Sequence, residues 1–278
     1  MTDRALVLGG GGFTGVSWMW GVLAGLADAG VDFSAADLVV GTSAGSVVGS
    51  QVAAGLDPEE RYAAQLRSLE DEVAVALRPA TMLRFGVAML GRPTPETVRR
   101  RIGRIALRVP TVPEEERLRL VGDRLGVRGW PERALKVTAV DAGTGEFVAF
   151  DRASGVPLRQ AVSASCAVPG VWPPITADGR RYVDGGLRSP ANADLAEGYA
   201  RVVVLAPITR GIGPIVGVDG QVARLRERAR VAQISPDAAS REAIGRNALD
   251  PGRRPLAARA GRVQAAAVAA QVRAIWED

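Results

Sequence analysis

Two glycine-rich turns set the tightest limit on how this chain folds. Each is entered from a short apolar run and opens into an apolar helix. Residues 5–8 run into Gly9–Gly12, and a helix is predicted over 16–29, closed by Gly30. Residues 38–40 then run into Gly41-Thr42-Ser43-Ala44-Gly45, and a second helix is expected over 46–54, ending near Gly55. Strand, helix, strand and helix joined by such short connections describe a βαβ unit with a parallel sheet. The second strand is brief and apolar, which suits a central strand covered on both faces. The expected fold class is therefore α/β, with a central, mostly parallel sheet flanked by helices.

From Pro58 to about Arg128 the pattern is helical, polar and cut by Pro79, Pro93, Pro95, Pro110 and Pro113. This stretch reads as a helical cap insertion at about 58–130. Further strands are predicted over 135–140 and 147–150, paired as a hairpin through the turn at 141–145. A helix over 157–164 follows, then a strand over 181–183 that stops at Asp184-Gly185-Gly186, and a core strand over 201–205. Helices are expected over 221–230 and 256–276. With no internal repeat and no low-complexity linker, the 278 residues read as one domain with a C-terminal helical tail from about 207.

The chain contains no histidine. Without imidazole there is no Ser-His-Asp triad, no Cys-His protease and no His-ligated zinc. The single cysteine, Cys166, excludes an intramolecular disulfide and any Cys-rich metal site. Lys136 is the only lysine, so 34 of the 35 basic residues are arginine. They are spread along the chain among acids and without an aromatic surplus, so no nucleic-acid partner is expected. The one dense cluster, Arg99, Arg100, Arg101, Arg104 and Arg108, reads as a solvated helix face. No run of about 20 apolar residues suggests a membrane span. Met1 to Arg4 pass directly into the first strand, and the expected compartment is the cytoplasm, with peripheral membrane contact.

Gly41-Thr42-Ser43-Ala44-Gly45 fits Gly-x-Ser-x-Gly. A serine on a sharp strand-to-helix turn is pushed out of the sheet, and the residues two positions either side must be small because they approach each other. The following helix aims its positive end at the serine. The bland reading is a glycine-rich turn with a capping serine; the strand before and the helix after favour the functional one.

The first cluster admits two readings. Gly10, Gly12 and Gly15 match a dinucleotide-binding fingerprint, but that site needs an acid ending the second strand, and Asp32 and Asp37 both precede it. Alternatively, the run of consecutive glycines lets successive amides converge on one oxygen as an oxyanion hole, at the end of a strand expected to neighbour the serine strand.

A serine nucleophile needs a proton acceptor within hydrogen-bond reach. Lys136 lies far outside Ser-x-x-Lys spacing, so a carboxylate is required. Asp184 ends a predicted strand and precedes Gly185 and Gly186, which puts its carboxylate at the C-terminal edge of the sheet. Asp141 and Asp151 are rivals whose sequences suit hairpin turns. A strand-end Asp-Gly usually marks only a turn; the missing histidine lifts Asp184 above that reading. Burial would raise its pKa and make it a better base.

Taken together, the glycines from Gly10 to Gly15, Gly-x-Ser-x-Gly at 41–45 and Asp-Gly-Gly at 184–186 resemble the patatin-like phospholipases, lipid acyl hydrolases with a serine–aspartate dyad. The stretches 138–146 and 164–170 are similar too, so the resemblance spans about residues 5–205. It implies a three-layer sandwich with Ser43 as nucleophile, Asp184 as proton acceptor, and Gly10, Gly11 and Gly12 around the oxyanion. Gly15, Gly41, Gly45, Gly185 and Gly186 complete the motifs. The implied substrate is a lipid or acyl ester, with no cofactor and no metal. Thr14 stands where that family often has a cation, which weakens the expected pull on anionic phospholipid. Residues 82–90, with their methionines and Phe85, suit an acyl-chain wall or a mobile lid touching anionic membranes, or else an ordinary core helix. Two other functions stay open: a nucleotide-binding α/β module built on Gly10–Gly15, and a catalytically inactive lipid-binding relative.

Overall fold

The computed structural model describes residues 3–67 and 79–277. Strand β1 (Arg4–Leu8) leads through the first glycines into helix α1 (Gly12–Asp28), and β2 (Leu38–Gly41) leads through the second into α2 (Ala44–Ala53). Both helices start earlier than expected, because Gly12 to Gly15 and Ala44-Gly45 already belong to first turns. Four helices follow: α3 (Pro58–Gln65), α4 (Pro79–Ala88), α5 (Pro95–Ala106) and α6 (Glu114–Leu125). The prolines do not merely interrupt this segment. Pro58, Pro79 and Pro95 each open a helix, where the missing N–H costs nothing. Residues 68–78 of the expected insertion lie outside the described residues.

Next come β3 (Ala134–Asp141), β4 (Phe147–Phe150), α7 (Leu158–Ser165), β5 (Ile175–Ala177), β6 (Arg180–Asp184) and β7 (Arg201–Leu205). The chain continues with α8 (Val218–Leu225), β8 (Arg230–Ile234), α9 (Ala238–Ile244) and α10 (Arg254–Trp276). The expected helix over 221–230 is thus corrected to a shorter helix and a strand. Residues 224–230 are arginine, leucine, glutamate and alanine, good helix formers that continue the helical composition past the real end, whereas Val231, Ala232 and Ile234 pair in parallel with β7. Strand β5, three residues long, left no readable pattern.

All eight strands form one sheet, whose main path runs β5-β6-β3-β2-β1-β7-β8. The parallel centre is β3-β2-β1-β7-β8, with β4, β5 and β6 antiparallel at one side. The predicted hairpin of β3 and β4 is present. The sheet has a buried apolar layer on each face: Leu6, Leu8, Val39, Val203 and Leu205 pack with α1, α2 and α10 on one, and Ala5, Val7, Val40, Val202 and Val204 with α8 on the other.

The C-terminal helix is part of this core. It crosses α1 closely enough that a Cβ on Gly21 would lie 2.0 Å from the Ala258 carbonyl oxygen, and one on Gly261 2.3 Å from that of Trp18. Gln264 ties the crossing together, accepting from Trp18 Nε1 at 3.0 Å and Ser240 Oγ at 2.9 Å while donating to the Ser235 carbonyl at 2.7 Å.

Candidate active site

The backbone of Ser43 has φ 52° and ψ −120°, a conformation that costs a non-glycine residue about 1–3 kcal/mol. Helix α2 begins one residue later. The flanking glycines allow the turn: a Cβ on Gly45 would lie 1.9 Å from the Leu8 carbonyl oxygen, and one on Gly41 2.5 Å from Ser46 Cα. The strained residue is pinned through its main chain. Its N–H donates to Ser165 Oγ at 2.9 Å, and its carbonyl accepts from Ser46 Oγ at 2.7 Å and from the Cys166 thiol at 3.2 Å. Ser43 is only 8% exposed and lines a cavity.

Asp184 reaches the same place by a route the sequence did not suggest. Strand β3 is longer than β2. Its Val137 pairs with Gly41 on one edge and Phe150 on the other, and its Ala139 pairs with Val148 and Asp184. Since β4 holds one edge throughout, β2 and β6 share the opposite edge and approach each other end to end. Ser43 follows the end of β2, and Asp184 is the last residue of β6. Asp184 therefore lies beyond the C-terminal end of β2, at the sheet edge expected for it, although β6 runs antiparallel to β3 and register along β3 brings the carboxylate in.

Close packing holds the junction. A Cβ on Gly185 would fall 2.2 Å from Thr138 Oγ1. The fully buried Asn192, itself at φ 52°, donates to Thr42 Oγ1 (3.0 Å), Thr138 Oγ1 (3.3 Å) and the carbonyls of Gly185 (3.2 Å) and Ser189 (3.0 Å). The Asp184 N–H donates to the Ala167 carbonyl at 3.1 Å, so residues 165–167 buttress both sides.

Burial pushes the Asp184 carboxyl up to about 6. The Ser43 hydroxyl, as a side-chain hydrogen-bond partner, opposes that rise, as do the Gly186 amide (2.8 Å) and the Arg117 guanidinium. The rivals are differently occupied. Burial would also raise Asp141, but the Thr144 and Gly143 amides and Arg180, 2.7 Å away, hold it below its ordinary value. Asp151 accepts from the Ala153 amide in an exposed turn.

The first glycine turn lies beside this junction, since β1 pairs with β2. Its amides are not equivalent. The Gly10 N–H already donates to the Pro190 carbonyl at 2.7 Å, so Gly10 is corrected from amide donor to spacer; a Cβ there would lie 3.5 Å from that of Ser43. Among the described residues, no hydrogen bond occupies the amides of Gly11, Gly12 or Ala44. The Ala44 amide, first in α2, was missed by sequence reasoning, although its place after the serine is the available signal. The helix start also bears on the nucleotide reading. The Ala248 carbonyl accepts from Thr14 N–H at 3.2 Å and would lie 2.5 Å from a Cβ on Gly12. Ala248 and Leu249 therefore pack against the start of α1, where the nucleotide reading needs room for a pyrophosphate.

The cavity has a volume of about 430 Å³. Its apolar wall includes Phe13, Val16, Val47, Leu120, Val121 and Trp172, and four arginines also face it: Arg61, Arg117, Arg124 and Arg254. Residues 82–90 are not among the described residues that line it; Phe85 and Ala88 pack in an apolar cluster with Val98, Ile102 and Val140, as a helix packed on the core does, whereas Met82, Leu83, Val87 and Leu90 are exposed. Arg117 is 5% exposed, with its guanidinium 4.0 Å from the Trp172 ring centre, and burial pulls its pKa down while Cys166 and Asp184 resist. Sequence reasoning missed Arg117 because Glu114-Glu115-Glu116-Arg117 reads as a solvated helix start. Burial also pushes the Cys166 thiol up to about 11. Among the described residues no group of three or more His, Cys, Asp or Glu side chains is placed to hold a metal ion.

A family model described as Patatin-like phospholipase matches residues 6–197. Uncharacterized NTE family proteins of Mycobacterium bovis and Mycobacterium tuberculosis are 30% identical over 199 residues, which is 69% of this chain and 47% of theirs. The chain thus spans about half the length of those relatives. Among solved structures, VipD from Legionella pneumophila aligns with 98% of this chain and 67% of its own, at 14% identity and TM-score 0.46. The type III effector protein ExoU aligns with 98% and 53%, at 16% identity and TM-score 0.43. The family match includes both glycine turns, the Ser43 elbow and Asp184-Gly185-Gly186, and it covers more than two thirds of the sequence: the chain belongs to the patatin-like phospholipase family.

Proposed function

We propose that the protein is a serine acyl hydrolase that cleaves carboxylic esters of lipids through Ser43 and Asp184. The observation that carries this reading is the meeting of a strained, cavity-facing serine with a buried carboxyl whose pKa lies near 6. At neutral pH that carboxyl is mostly ionised, yet basic enough to take a proton in the transition state.

In this reading Ser43 Oγ attacks the ester carbonyl carbon as its proton passes to Asp184. The tetrahedral oxyanion faces the amides of Gly11, Gly12 and Ala44, each worth on the order of 3 kcal/mol when correctly aimed. Collapse breaks the bond to the alcohol oxygen, which leaves with the proton from Asp184 and an acyl group on Ser43. Water then attacks the acyl-enzyme, giving its proton to Asp184, and the acid is released as that proton returns to Ser43 Oγ.

The helices α3 to α6 form the cap in this reading, and the chain works as one hydrolytic domain. Its outer face, α4 with residues 208–216, is inferred to touch a lipid surface.

Activity-based labelling tests the chemistry. A fluorophosphonate probe is expected to modify Ser43, and Ser43→Ala to lower turnover of short acyl esters by about 10⁴-fold or more. A wild-type protein that is neither labelled nor active on any ester would leave the inactive lipid-binding relative as the better account.

A further inference from the structure

We propose that Gln51 and Trp20 form the floor of the acyl-chain site and so set the length of chain that the cavity beside Ser43 accepts. That the chain belongs to an ester rests on the hydrolase reading; the floor stands on two cavities and the hydrogen bond between their walls.

A second cavity, of about 330 Å³, lies further along the groove between α1 and α2. On α1 the lining passes from Phe13 and Val16 in the first cavity to Trp20 and Leu23 in the second, steps of three and four residues that stay on one face of the helix. On α2 it passes from Val47 and Gln51 to Val52. The two walls meet at a polar contact: Gln51 Oε1, on the first, accepts from Trp20 Nε1, on the second, at 3.1 Å. Trp20 is fully buried and Gln51 nearly so.

Polar atoms out of water are costly unless bonded, and here they are used. The Gln51 amide nitrogen donates to the carbonyls of Arg124 (3.2 Å) and Leu125 (3.1 Å), the last two residues of α6. The final carbonyls of a helix lack partners within it, so the glutamine satisfies two of them and ties α6 to α2 and α1. With its oxygen and both N–H groups engaged, the side chain is held in one orientation. The partition between the cavities is therefore fixed by hydrogen bonds from three helices.

Its position gives a length. Gln51 lies about two turns of α2 beyond Ser43, or about 12 Å along the axis. A chain that advances about 1.2 Å per bond, as an extended backbone does, meets it after about ten carbons. Val16 and Val47 flank that path one turn earlier. Beyond the pair, Leu23, Val31, Phe33 and Val52 line space that a longer chain would enter if the indole were absent. The acids on the second cavity, Asp32 and Asp57, each cap their own turn, accepting from Ser34 N–H at 2.7 Å and Glu60 N–H at 2.8 Å.

The test is a graded series of saturated acyl esters, each kept below its micelle concentration. Wild-type kcat/KM should rise by up to about fourfold per methylene and turn down past about ten carbons. Trp20→Ala should move the turning point to longer chains, raising the ratio of a chain of about fourteen carbons to one of about eight by about tenfold or more. Ser43 and Asp184 serve both esters, so disturbance of the shared chemistry cancels in the ratio. Gln51→Ala, on the other helix, should act in the same direction. Val47→Phe, which fills the path one turn above the floor, should move the turning point the other way and guards against floor variants that fail to fold.

Calorimetry with free saturated fatty acids of the same lengths supplies a second arm that needs no turnover. Affinity that stops rising near the floor in the wild type, and goes on rising in Trp20→Ala, would uphold the floor even in a protein inactive on every ester, where the hydrolase reading alone would fall. Ester cleavage with one turning point shared by the wild type and every folded variant would overturn the inference and leave the hydrolase reading standing. A wild type whose preference climbs evenly to the longest chain would overturn it too, since nothing then stops the chain. Neither cleavage nor binding at any length would overturn both.

Discussion

At Asp184, the proton acceptor in the proposed reaction, burial opposes ionisation. Its pKa of about 6 predicts that kcat/KM on an uncharged ester rises about tenfold per pH unit up to 6 and levels off above it. A profile flat from pH 4.5 to 8 would remove Asp184 from the proton transfer. The same shift predicts a stability effect. A carboxyl whose folded pKa lies above its unfolded value of 3.8 binds its proton more tightly in the native state, so stability declines as pH rises from about 4 to 6. Two pKa units correspond to about 3 kcal/mol, fully present above pH 6. Asp184→Asn should therefore abolish turnover yet stabilise the fold by up to about 3 kcal/mol at pH 8, with the gain gone at pH 3.5. Urea unfolding at the two pH values measures this directly; no gain at pH 8 contradicts it. Ser43 and Asp184 were legible because a missing histidine leaves few ways to activate a serine. Arg117 was not, because an arginine after three glutamates has the pattern of a solvated helix, and its burial against the Trp172 ring depends on a distant part of the chain.

The elements that build the site were readable where the pattern was strong and local. Strands β1 and β2 with their glycine turns, and the hairpin of β3 and β4, carry their instructions within a dozen residues. The end-to-end meeting of β2 and β6 does not, since it depends on a register shared along β3 by segments more than a hundred residues apart. Strand β8 was hidden because the helix-forming residues of 224–230 run straight into it. The tail could not be placed for a similar reason: the alanines of α10 look alike all round, and its seat is decided by glycines on both partners. That seat gives a sharp prediction. Gly261→Leu puts a side chain where a Cβ alone would lie 2.3 Å from the Trp18 carbonyl oxygen, so a loss of about 3 kcal/mol or more is expected in urea unfolding. Val263→Ala, two residues along at a position 76% exposed, should change stability by no more than about 0.5 kcal/mol. Equal effects would mean that α10 does not cross α1 through its glycines.

At the scale of the whole molecule, the cavity beside Ser43 and the outer face of α4 are opposite kinds of surface. The cavity is lined by four arginines, whereas Met82, Leu83, Val87 and Leu90 project from α4 and its end into solvent. Ile208, Ile212 and Val216 are exposed as well, and the loop that bears them touches α4: a Cβ on Gly213 would lie 3.0 Å from Met89 Sδ. Beside them, α5 exposes Arg100 and Arg104, and Arg101 donates to the carbonyls of Ala88 and Leu90, binding the two helices together. An apolar edge flanked by arginine is the pattern of a segment lying in a membrane interface, not one crossing it. No helix among the described residues is long and apolar enough to cross a membrane. Vesicles of anionic lipid should therefore co-sediment the protein more strongly than zwitterionic ones, and added salt should weaken the difference. Replacing Leu83 and Val87 together by glutamate should lower the bound fraction about tenfold or more, because two inserted side chains are lost and two charges repelled. The same double variant should keep its rate on a soluble short-chain ester, since neither residue lines the cavity, and lose it only on vesicles. Equal loss on both substrates would mean that α4 supports the fold of the cap instead of its contact with lipid, and no binding to either vesicle would remove the contact altogether.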